Sequence, residues 1–374
     1  MTTAELSQCA TSPIGSLTDA PQQAAGTRAV SHEYTRALPE LLSQLGVSLL
    51  VSTYQAGKVV SVGVAEDQLT LSYHNFDRVM GLAVRPGAIA VGGRAQVWFL
   101  PSAPELAPRV EPVGRHDACF LTRSAHFTGE IQVHEMSWGA EELWLVNTAF
   151  GCLCTLDGQH SFVPRWRPPF LTALAAEDRC HLNGLAMSGG VPRLVTALAE
   201  TDTPQGWRHQ KTTGGCLIDV ASGQTVARGF AMPHSPRIHA GRIWMLHSGA
   251  GQLVWIDPAN GQAETVAELP GYTRGLAMHD RYAFVGLSKI RETSTFGGMP
   301  IAERRPDLKC GVGVVDLGTG RLVAHLEFIS GVEEIFDVQV VPFARCPALS
   351  GPYASLDGVS PIWTVPQPAD EARC

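Results

Sequence analysis

The sequence lacks long hydrophobic runs and any excess of basic charge. No apolar stretch reaches the ~18 residues that a membrane-spanning helix needs, and residues 1–30 contain neither the basic nor the apolar region of a signal peptide. The formal net charge is -7, and Lys and Arg form no cluster of the kind that binds nucleic acid or an anionic membrane. We therefore expect a cytoplasmic protein whose partners include neither nucleic acid nor a membrane.

Several motifs that carry well-known chemistry are also absent. The sequence has no Gly-rich phosphate loop between a strand and a helix, no GxSxG, no HExxH and no DxDxDG calcium loop. Its nine cysteines are scattered and include no CxxC pair, which argues against a zinc ribbon or a redox motif. We therefore expect no nucleotide cofactor, and the motif-bearing hydrolases have no support.

What the sequence does contain is an abundance of turn residues and an internal repeat. It has 38 Gly and 25 Pro, with 45% hydrophobic and only 17% charged residues, as expected for many short strands joined by tight turns. The tripeptide Gly-Leu-Ala occurs at residues 81–83, 184–186 and 275–277. A turn that begins with Asp and ends with Gly recurs at residues 219–223, 257–261 and 316–320. A repeated unit of short strands predicts a β-propeller.

The two ends of the repeat region complement each other. Residues 48–73 contain three strands without a fourth, and residues 334–341 contain one isolated strand. Joining them in one blade closes the ring and removes an exposed sheet edge, so we expect an all-β, six-bladed β-propeller closed by three N-terminal strands and one C-terminal strand. We place the propeller at residues 31–348, between a disordered N-terminal arm (1–30) and a flexible C-terminal tail (349–374).

Polar side chains are predicted to converge at one mouth of this propeller. Loops that enter the innermost strand and loops that leave the second strand lie on the same face, so residues far apart in sequence meet around the axis. Carboxylates and arginines there suit acid–base chemistry and capture of an anionic or zwitterionic ligand. We assign catalytic roles to Glu135, Glu200, Asp202 and Arg274. The predicted ligand-binding residues are Tyr54, Gln55, Arg94, Asn183, Arg237, Tyr272 and Arg291. The alternative is that these charges only pair with one another across the mouth.

Three histidines are predicted to begin the innermost strands of three successive blades. Neutral imidazoles with one carboxylate suit a divalent transition metal such as Fe, Zn or Mn. The predicted metal ligands are His134, His181, His234 and Asp337. The alternative is that each imidazole is an ordinary hydrogen-bonded side chain at the end of a strand.

Five segments carry a resemblance to a known family. They are STYQAGK (52–58), VHEMSW (133–138), DRCHLNGLA (178–186), MPHSPR (232–237) and FDVQV (336–340). In this order they resemble a family of uncharacterised bacterial proteins, some of which are joined to tetratricopeptide repeats, and the resemblance implies the repeat domain. More distantly, a six-bladed propeller with polar residues on its axis is similar to the propeller lactonases and strictosidine-synthase-like enzymes, which hold a divalent metal at that place.

These observations leave two functions open. The first is a metal-dependent enzyme that acts on a small or peptide-like, anionic or zwitterionic substrate at the axial mouth. The second is a non-catalytic propeller that binds a ligand or a protein partner.

Overall fold

The computed structural model describes residues 30–290 and 298–365, and most of the regular structure in them is β-strand. The chain begins with β1 (His32–Tyr34) and α1 (Ala37–Leu45). Short 3₁₀ helices occur at Pro104–Arg109, Gly206–His209, Ser248–Ala250 and Pro300–Asp307.

The remaining strands follow one another in groups that form the blades. The first half of the chain contains β2 (Ser48–Thr53), β3 (Lys58–Ala65), β4 (Gln68–Asn75), β5 (Leu82–Arg85), β6 (Ala88–Gly92), β7 (Gln96–Pro101), β8 (Ala118–Leu121), β9 (Ser124–Phe127), β10 (Val133–Trp138), β11 (Leu143–Asn147), β12 (Cys152–Thr155) and β13 (Val163–Trp166). The second half contains β14 (Leu182–Ser188), β15 (Val191–Ala197), β16 (Gly215–Asp219), β17 (Thr225–Phe230), β18 (Pro233–His239), β19 (Arg242–His247), β20 (Gln252–Ile256), β21 (Ala263–Glu268), β22 (Tyr272–His279), β23 (Tyr282–Ser288), β24 (Gly311–Asp316), β25 (Arg321–Phe328), β26 (Asp337–Val341) and β27 (Pro347–Ser350), followed by α2 (Ala354–Asp357).

Six antiparallel sheets form a closed ring, which confirms the predicted six-bladed propeller. Their strand orders are β26-β2-β3-β4, β5-β6-β7-β9, β10-β11-β12-β13, β14-β15-β16-β17, β18-β19-β20-β21 and β22-β23-β24-β25, the last extended by β1. The innermost strands β26, β5, β10, β14, β18 and β22 contact one another in that order, and β22 contacts β26 again. The ring therefore has no open edge at its axis.

The closure joins the two ends of the repeat region, as predicted. Strand β26 pairs antiparallel with β2, and Asp337 lies opposite Ser52. The hydroxyl of Ser52 accepts a hydrogen bond from the backbone N–H of Asp337 at 3.0 Å and donates one to the carbonyl of Met80 at 2.6 Å. The closing blade is thus bonded both within itself and to the blade that follows it.

The Asp-to-Gly turns have the expected geometry. In each, the backbone N–H of the final Gly donates to the carbonyl of the first Asp, and the Gly has a positive φ of 68–72°. The carboxylates of Asp219, Asp257 and Asp316 also accept backbone N–H groups within the turn. Asp supplies this acceptor and Gly tolerates the left-handed backbone, which is why the pair recurs.

The core lies between neighbouring blades. Leu49 and Val62 of the closing blade belong to the same buried cluster as Val312 and Phe284 of the sixth blade. Helix α1 covers this cluster with Leu38 and Leu42 and ends at Gly46, which has a left-handed backbone (φ 69°). None of the described helices is long and apolar enough to span a membrane.

Two parts of the chain have more structure than the sequence indicated. The segment 115–128 has neither the Gly-Leu-Ala tripeptide nor an Asp-to-Gly turn, yet it contains β9, the outer strand of the second blade, and β8, which pairs in parallel with β27. Beyond residue 348, where a tail is expected, α2 packs on β4, and the Asp357 carboxylate accepts hydrogen bonds from the backbone N–H and side chain of Asn75 at 2.7 and 2.6 Å. The predicted arm (1–30) lies outside the described residues except for residue 30. The predicted ligand-binding residue Arg291 also lies outside them.

Candidate functional site

A cavity of about 400 Å³ opens at one mouth of the propeller axis. All six blades contribute to its wall, which comes from the first residues of the innermost strands, from the loops that enter them, and from the β2–β3, β11–β12 and β15–β16 connections. The lining residues used below are Tyr54, Gln132, His134, Glu177, Asp178, His181, Trp207, Arg208, Met232, His234, Tyr272, Arg274, Glu334 and Phe336. The sequence predicted convergence at this mouth, and six of its assigned residues line the cavity: Tyr54, His134, His181, His234, Tyr272 and Arg274.

Irregular backbone at the start of the inner strands directs side chains into this cavity. The antiparallel register shifts near the start of β10, β14, β18 and β22, in each case next to a predicted site residue. Such β-bulges re-aim side chains and are common beside binding sites. Five non-glycine residues of the wall also have a left-handed backbone, namely Gln132 (φ 56°), Asp178 (φ 49°), His181 (φ 51°), Gln205 (φ 50°) and Met232 (φ 48°). Because such conformations cost about 1–3 kcal/mol each, backbone strain is concentrated at this mouth.

His134 and His234 are held in the same way. The Nδ1 atom of His134 lies 3.1 Å from the carbonyl of Gln132, and that of His234 lies 2.8 Å from the carbonyl of Met232. A carbonyl can only accept, so Nδ1 carries the proton in both rings and Nε2 is left as a lone pair when the ring is neutral. Burial lowers the pKa of both imidazoles well below its usual value; the neighbouring His181 and Arg274 lower the pKa of His134 further, and Arg274 lowers that of His234. Both rings are therefore neutral acceptors at neutral pH.

His181 differs because its partner is a carboxylate. Its Nδ1 atom lies 2.9 and 3.0 Å from the two carboxylate oxygens of Asp178, and the indole N–H of Trp207 donates to the same carboxylate at 2.9 Å. The ring of His181 is 4.6 Å from that of Trp207 and 4.8 Å from that of His134, the latter pair edge to face. The Asp178–His181 pair thus has a fixed ring orientation with Nε2 free of protein hydrogen-bond partners among the described residues.

Arg274 supplies a buried positive charge on the opposite part of the wall. Its guanidinium lies 3.3 Å from the centre of the Phe336 ring and 3.7 Å from a carboxylate oxygen of Glu334. Burial lowers the pKa of Arg274, while the nearby Glu334 raises it. Phe336 is also in contact with Tyr54 and His134, with ring centres 5.7 and 5.1 Å apart. The guanidinium is therefore fixed by an aromatic face and can still bind an anionic group.

Three predicted site residues lie together, but outside the cavity. They are Glu135, Arg237 and Asp337, which we call the axial charge cluster. Glu135 and Asp337 are buried at the inner strands, and the side chain of Arg237 is 18% exposed. Glu135 forms an ion pair with Arg237 and accepts the backbone N–H of Leu185 at 3.1 Å, and Asp337 accepts the backbone N–H of Leu82 at 2.9 Å. Burial raises the pKa of Glu135 to about 7 and that of Asp337 to about 6, and Arg237 opposes both shifts. These groups bond to the protein and do not line the axial cavity.

The other assigned residues are separated from the cavity. Glu200 binds Arg228 (2.6 Å), and Asp202 binds Arg179 (2.8 Å), so both carboxylates have the cationic partners that the alternative interpretation proposed. Arg94 lies 3.3 Å from Glu130 at an exposed position. Asn183 is buried and bonds to Thr196 and to the carbonyl of Pro233, and Gln55 is exposed. None of these five assignments places a side chain in the wall of the axial cavity.

Four residues of the cavity wall were not predicted as site residues from the sequence: Asp178, Trp207, Glu334 and Phe336. Asp178 has a signal that could have revealed it, since it lies three residues before His181 in a segment that was already singled out. Glu334 and Phe336 directly precede the closing strand β26. Trp207 belongs to the long β15–β16 connection, and nothing in its sequence context indicates that it turns toward the axis.

The three histidines of the wall have one feature of a metal site but not its grouping. The tautomer of the three rings, with Nδ1 donated and Nε2 open, is the one that metal-ligating histidines adopt. Among the described residues, however, no three His, Cys, Asp or Glu side chains are grouped so that they could hold a metal ion. Asp337 lies in the axial charge cluster, and the charge of Arg274 opposes a second cation. The metal ion and its identity stay predictions.

The chain is similar to a solved structure and matches a family model. The structure is similar to a chain in the crystal structure of a nidogen/laminin complex, with a TM-score of 0.49 and 8% sequence identity, over 79% of this chain and 98% of the other. No curated protein matches the sequence. Residues 36–349 match the model of a family described as a domain of unknown function (DUF4915). Because that match covers most of the chain, the protein belongs to the DUF4915 family.

Proposed function

We propose that the axial cavity binds a small anionic molecule and that His181 acts on it as a general base. Arg274 would bind a carboxylate or similar group of the ligand, as a guanidinium does in other proteins. The observation that carries the proposal is the Asp178–His181 pair, whose Nε2 atom has no protein partner within residues 30–290 and 298–365, in a wall that also contains the largely buried guanidinium of Arg274.

The Asp178–His181 pair has the features that a general base requires. The carboxylate accepts the Nδ1–H, fixes the tautomer and stabilises the imidazolium that forms when Nε2 takes a proton. The indole N–H of Trp207 donates to the same carboxylate at 2.9 Å, which helps to fix its position against His181. His134 and His234 differ, because backbone carbonyls cannot balance a positive ring in the same way.

The test begins with a screen of small carboxylates by ligand-observed NMR. We expect ligands whose binding is lost in Arg274→Gln, since the substitution removes the charge but keeps a polar side chain. Each ligand is then incubated with the protein in D₂O, and chemical conversion or exchange of ligand protons for deuterium is followed. His181→Asn and Asp178→Asn should abolish the reaction while retaining binding. His160, which is exposed and bonds to Asp157 at 2.8 Å, provides the control variant His160→Ala.

The results separate this proposal from a non-catalytic scaffold. Ligands that depend on Arg274 but undergo no conversion or exchange would leave only the binding function. If no carboxylate binds in an Arg274-dependent manner, the proposal fails, and the surface of the propeller becomes the place to search for a protein partner.

A metal-dependent enzyme is the second candidate, favoured by the shared tautomer of the three histidines. Here His134, His181 and His234 would hold the ion, which would supply a Lewis acid at the mouth. Because the described residues contain no such group as they stand, the three rings would have to draw together on the ion. Elemental analysis of the purified protein tests it, because a bound transition metal should be lost in His181→Ala and His234→Ala and kept in His160→Ala. Equal metal content in all variants would contradict this candidate. The cytoplasmic location, the bacterial origin and the fusion of relatives to tetratricopeptide repeats stay predictions.

A further inference from the structure

The charges of the cavity wall are mixed. The described wall contains two guanidinium groups, Arg208 and Arg274, and three carboxylates, Glu177, Asp178 and Glu334. Arg208 stacks on an indole at 4.7 Å from the ring centre and donates to Gln205, which places it toward the edge of the aromatic wall. A simple anion bound at Arg274 would therefore have carboxylates close by. The balance of charge suits a ligand that carries both signs better than one that carries only a negative charge.

The histidines add lone pairs without adding charge. Because Nδ1 of His134 and His234 donates to a backbone carbonyl, Nε2 of each ring can only accept a hydrogen bond from a ligand. His234 is 4% exposed, and its second Nδ1 contact is the hydroxyl of Ser248 at 3.1 Å, so the protein fixes this ring firmly. A ligand with no N–H or O–H donor would displace water from these acceptors without replacing its hydrogen bonds, which is costly.

We infer that the ligand is an amino acid or another small zwitterion, with its carboxylate at Arg274 and its ammonium group at Nε2 of His134 and His234. The inference rests on the proposed role of Arg274 and adds the second recognition element. The cavity, at about 400 Å³, has the size of a single small-molecule site rather than of a groove for a long peptide.

The carboxylate and the ammonium group of the ligand each favour binding of the other. An amine alone would bring a second positive charge near the guanidinium of Arg274, whose charge acts together with the larger effect of burial to lower the pKa of both histidines. A carboxylate alone would satisfy Arg274 but not the imidazole acceptors. A site built to bond a donor rejects the analogue that lacks it, so we expect discrimination of at least about ten-fold against either half.

The experiment compares matched probes on the full-length protein by isothermal titration calorimetry. The panel contains the twenty common amino acids, with alanine and phenylalanine set against propionate, 3-phenylpropionate, ethylamine and 2-phenylethylamine. At least one amino acid should bind at least about ten-fold more tightly than its matched acid and its matched amine. The inference is overturned if no amino acid binds, or if the matched acid binds as tightly.

Variants assign the ammonium subsite. His134→Leu and His234→Leu should each weaken binding of the amino acid by about ten-fold and change the affinity of the matched carboxylate by less than about two-fold. Arg274→Gln should lose both ligands, and His160→Ala should lose neither. Equal losses for amino acid and carboxylate in the histidine variants would contradict the inference, since a merely structural role predicts that result.

A measurement on the unaltered protein covers the case in which a variant does not fold. With ¹⁵N-labelled histidine, the unprotonated Nε2 resonances of His134 and His234 should shift on addition of the amino acid, because each acquires a hydrogen-bond donor. Unchanged resonances at saturating ligand would overturn the inference. If carboxylates bind through Arg274 while amino acids have no advantage, the zwitterion inference fails and the proposed function stands. If no carboxylate depends on Arg274, both fail.

Discussion

Arg237 should be among the most sensitive positions for the stability of this protein. Its guanidinium bonds to the carbonyls of Leu276 and Leu185 at 2.7 and 3.2 Å and forms an ion pair with Glu135. Glu135 and Asp337 are 4% and 2% exposed. Through these contacts and the bond from Leu82 to Asp337, the axial charge cluster connects the innermost strands of all six blades.

The loss of stability expected for Arg237→Met follows from the charged and polar groups that the substitution leaves without a partner. Methionine keeps much of the side-chain volume but leaves two buried carboxylates without their cation, and three carbonyls, those of Leu185, Pro236 and Leu276, lose a donor. Removing one partner of a buried ion pair costs about 3–5 kcal/mol. At about 2 °C per kcal/mol for a domain of this size class, the melting temperature should fall by about 6–10 °C. The loss should be larger at pH 8 than at pH 5.5, because the carboxyl groups, with pKa values of about 7 and 6, are then ionised.

Differential scanning calorimetry at the two pH values measures this effect. Arg94→Met is the matched control, because Arg94 also pairs with a glutamate, at 3.3 Å, but is 41% exposed at the surface. Exposed pairs contribute about 0–1 kcal/mol, so the control should melt within about 2 °C of the wild type. If Arg237→Met melts as close to the wild type as the control does, the cluster does not stabilise the ring and the reasoning is wrong.

Three further predictions concern stability. Burial raises the pKa of Glu135, so the folded state holds this proton more tightly than the unfolded state, and the stability contributed by this group should fall as pH rises from about 4.5 to about 7. In calorimetry, the melting temperature of Glu135→Gln should therefore rise relative to that of the wild type over this pH range, and a constant difference would contradict the prediction. Gly275 (φ 80°) is crowded against Asp337 and β26, so Gly275→Ala should lower the free energy of unfolding, measured with denaturant, by several kcal/mol. Gly241→Ala, at a similar φ of 72° but in open space, should lower it by only about 1 kcal/mol, and equal losses would show that the crowding is unimportant. Asp357→Asn should weaken docking of α2 by about 1–3 kcal/mol and speed amide exchange at residues 347–358, with unchanged exchange refuting the role of this carboxylate.

Much of the fold could be predicted because the repeat leaves local signals. The turns at Asp219, Asp257 and Asp316 each need a carboxylate acceptor and a left-handed Gly, and this requirement is visible in sequence. The closure was predictable because β2, β3 and β4 lacked a fourth strand and β26 lacked neighbours. The strand β9 was missed because nothing in the irregular segment around it marks the outer edge of a blade.

The candidate site was less predictable because its geometry depends on backbone irregularities. Placing Glu135 beside His134 at the cavity overlooked that neighbouring residues of a strand face opposite sides. At the register shift in β10, His134 lines the cavity and Glu135 belongs to the axial charge cluster. The same applies to Asp178, whose left-handed backbone brings its carboxylate to His181, and no propensity of Asp indicates this contact.

The cavity and the axial charge cluster are built from the same short segments. His134 faces the cavity and Glu135 the cluster; Phe336 and Asp337 divide in the same way, and so do His234 and Arg237 across the register shift in β18. The contacts that hold the ring together therefore also position the walls of the cavity. Substitutions in the cluster should lower both stability and ligand affinity, because they release the segments that carry the site. Substitutions that face only the cavity should change affinity with little effect on stability, since the cluster beneath them stays intact.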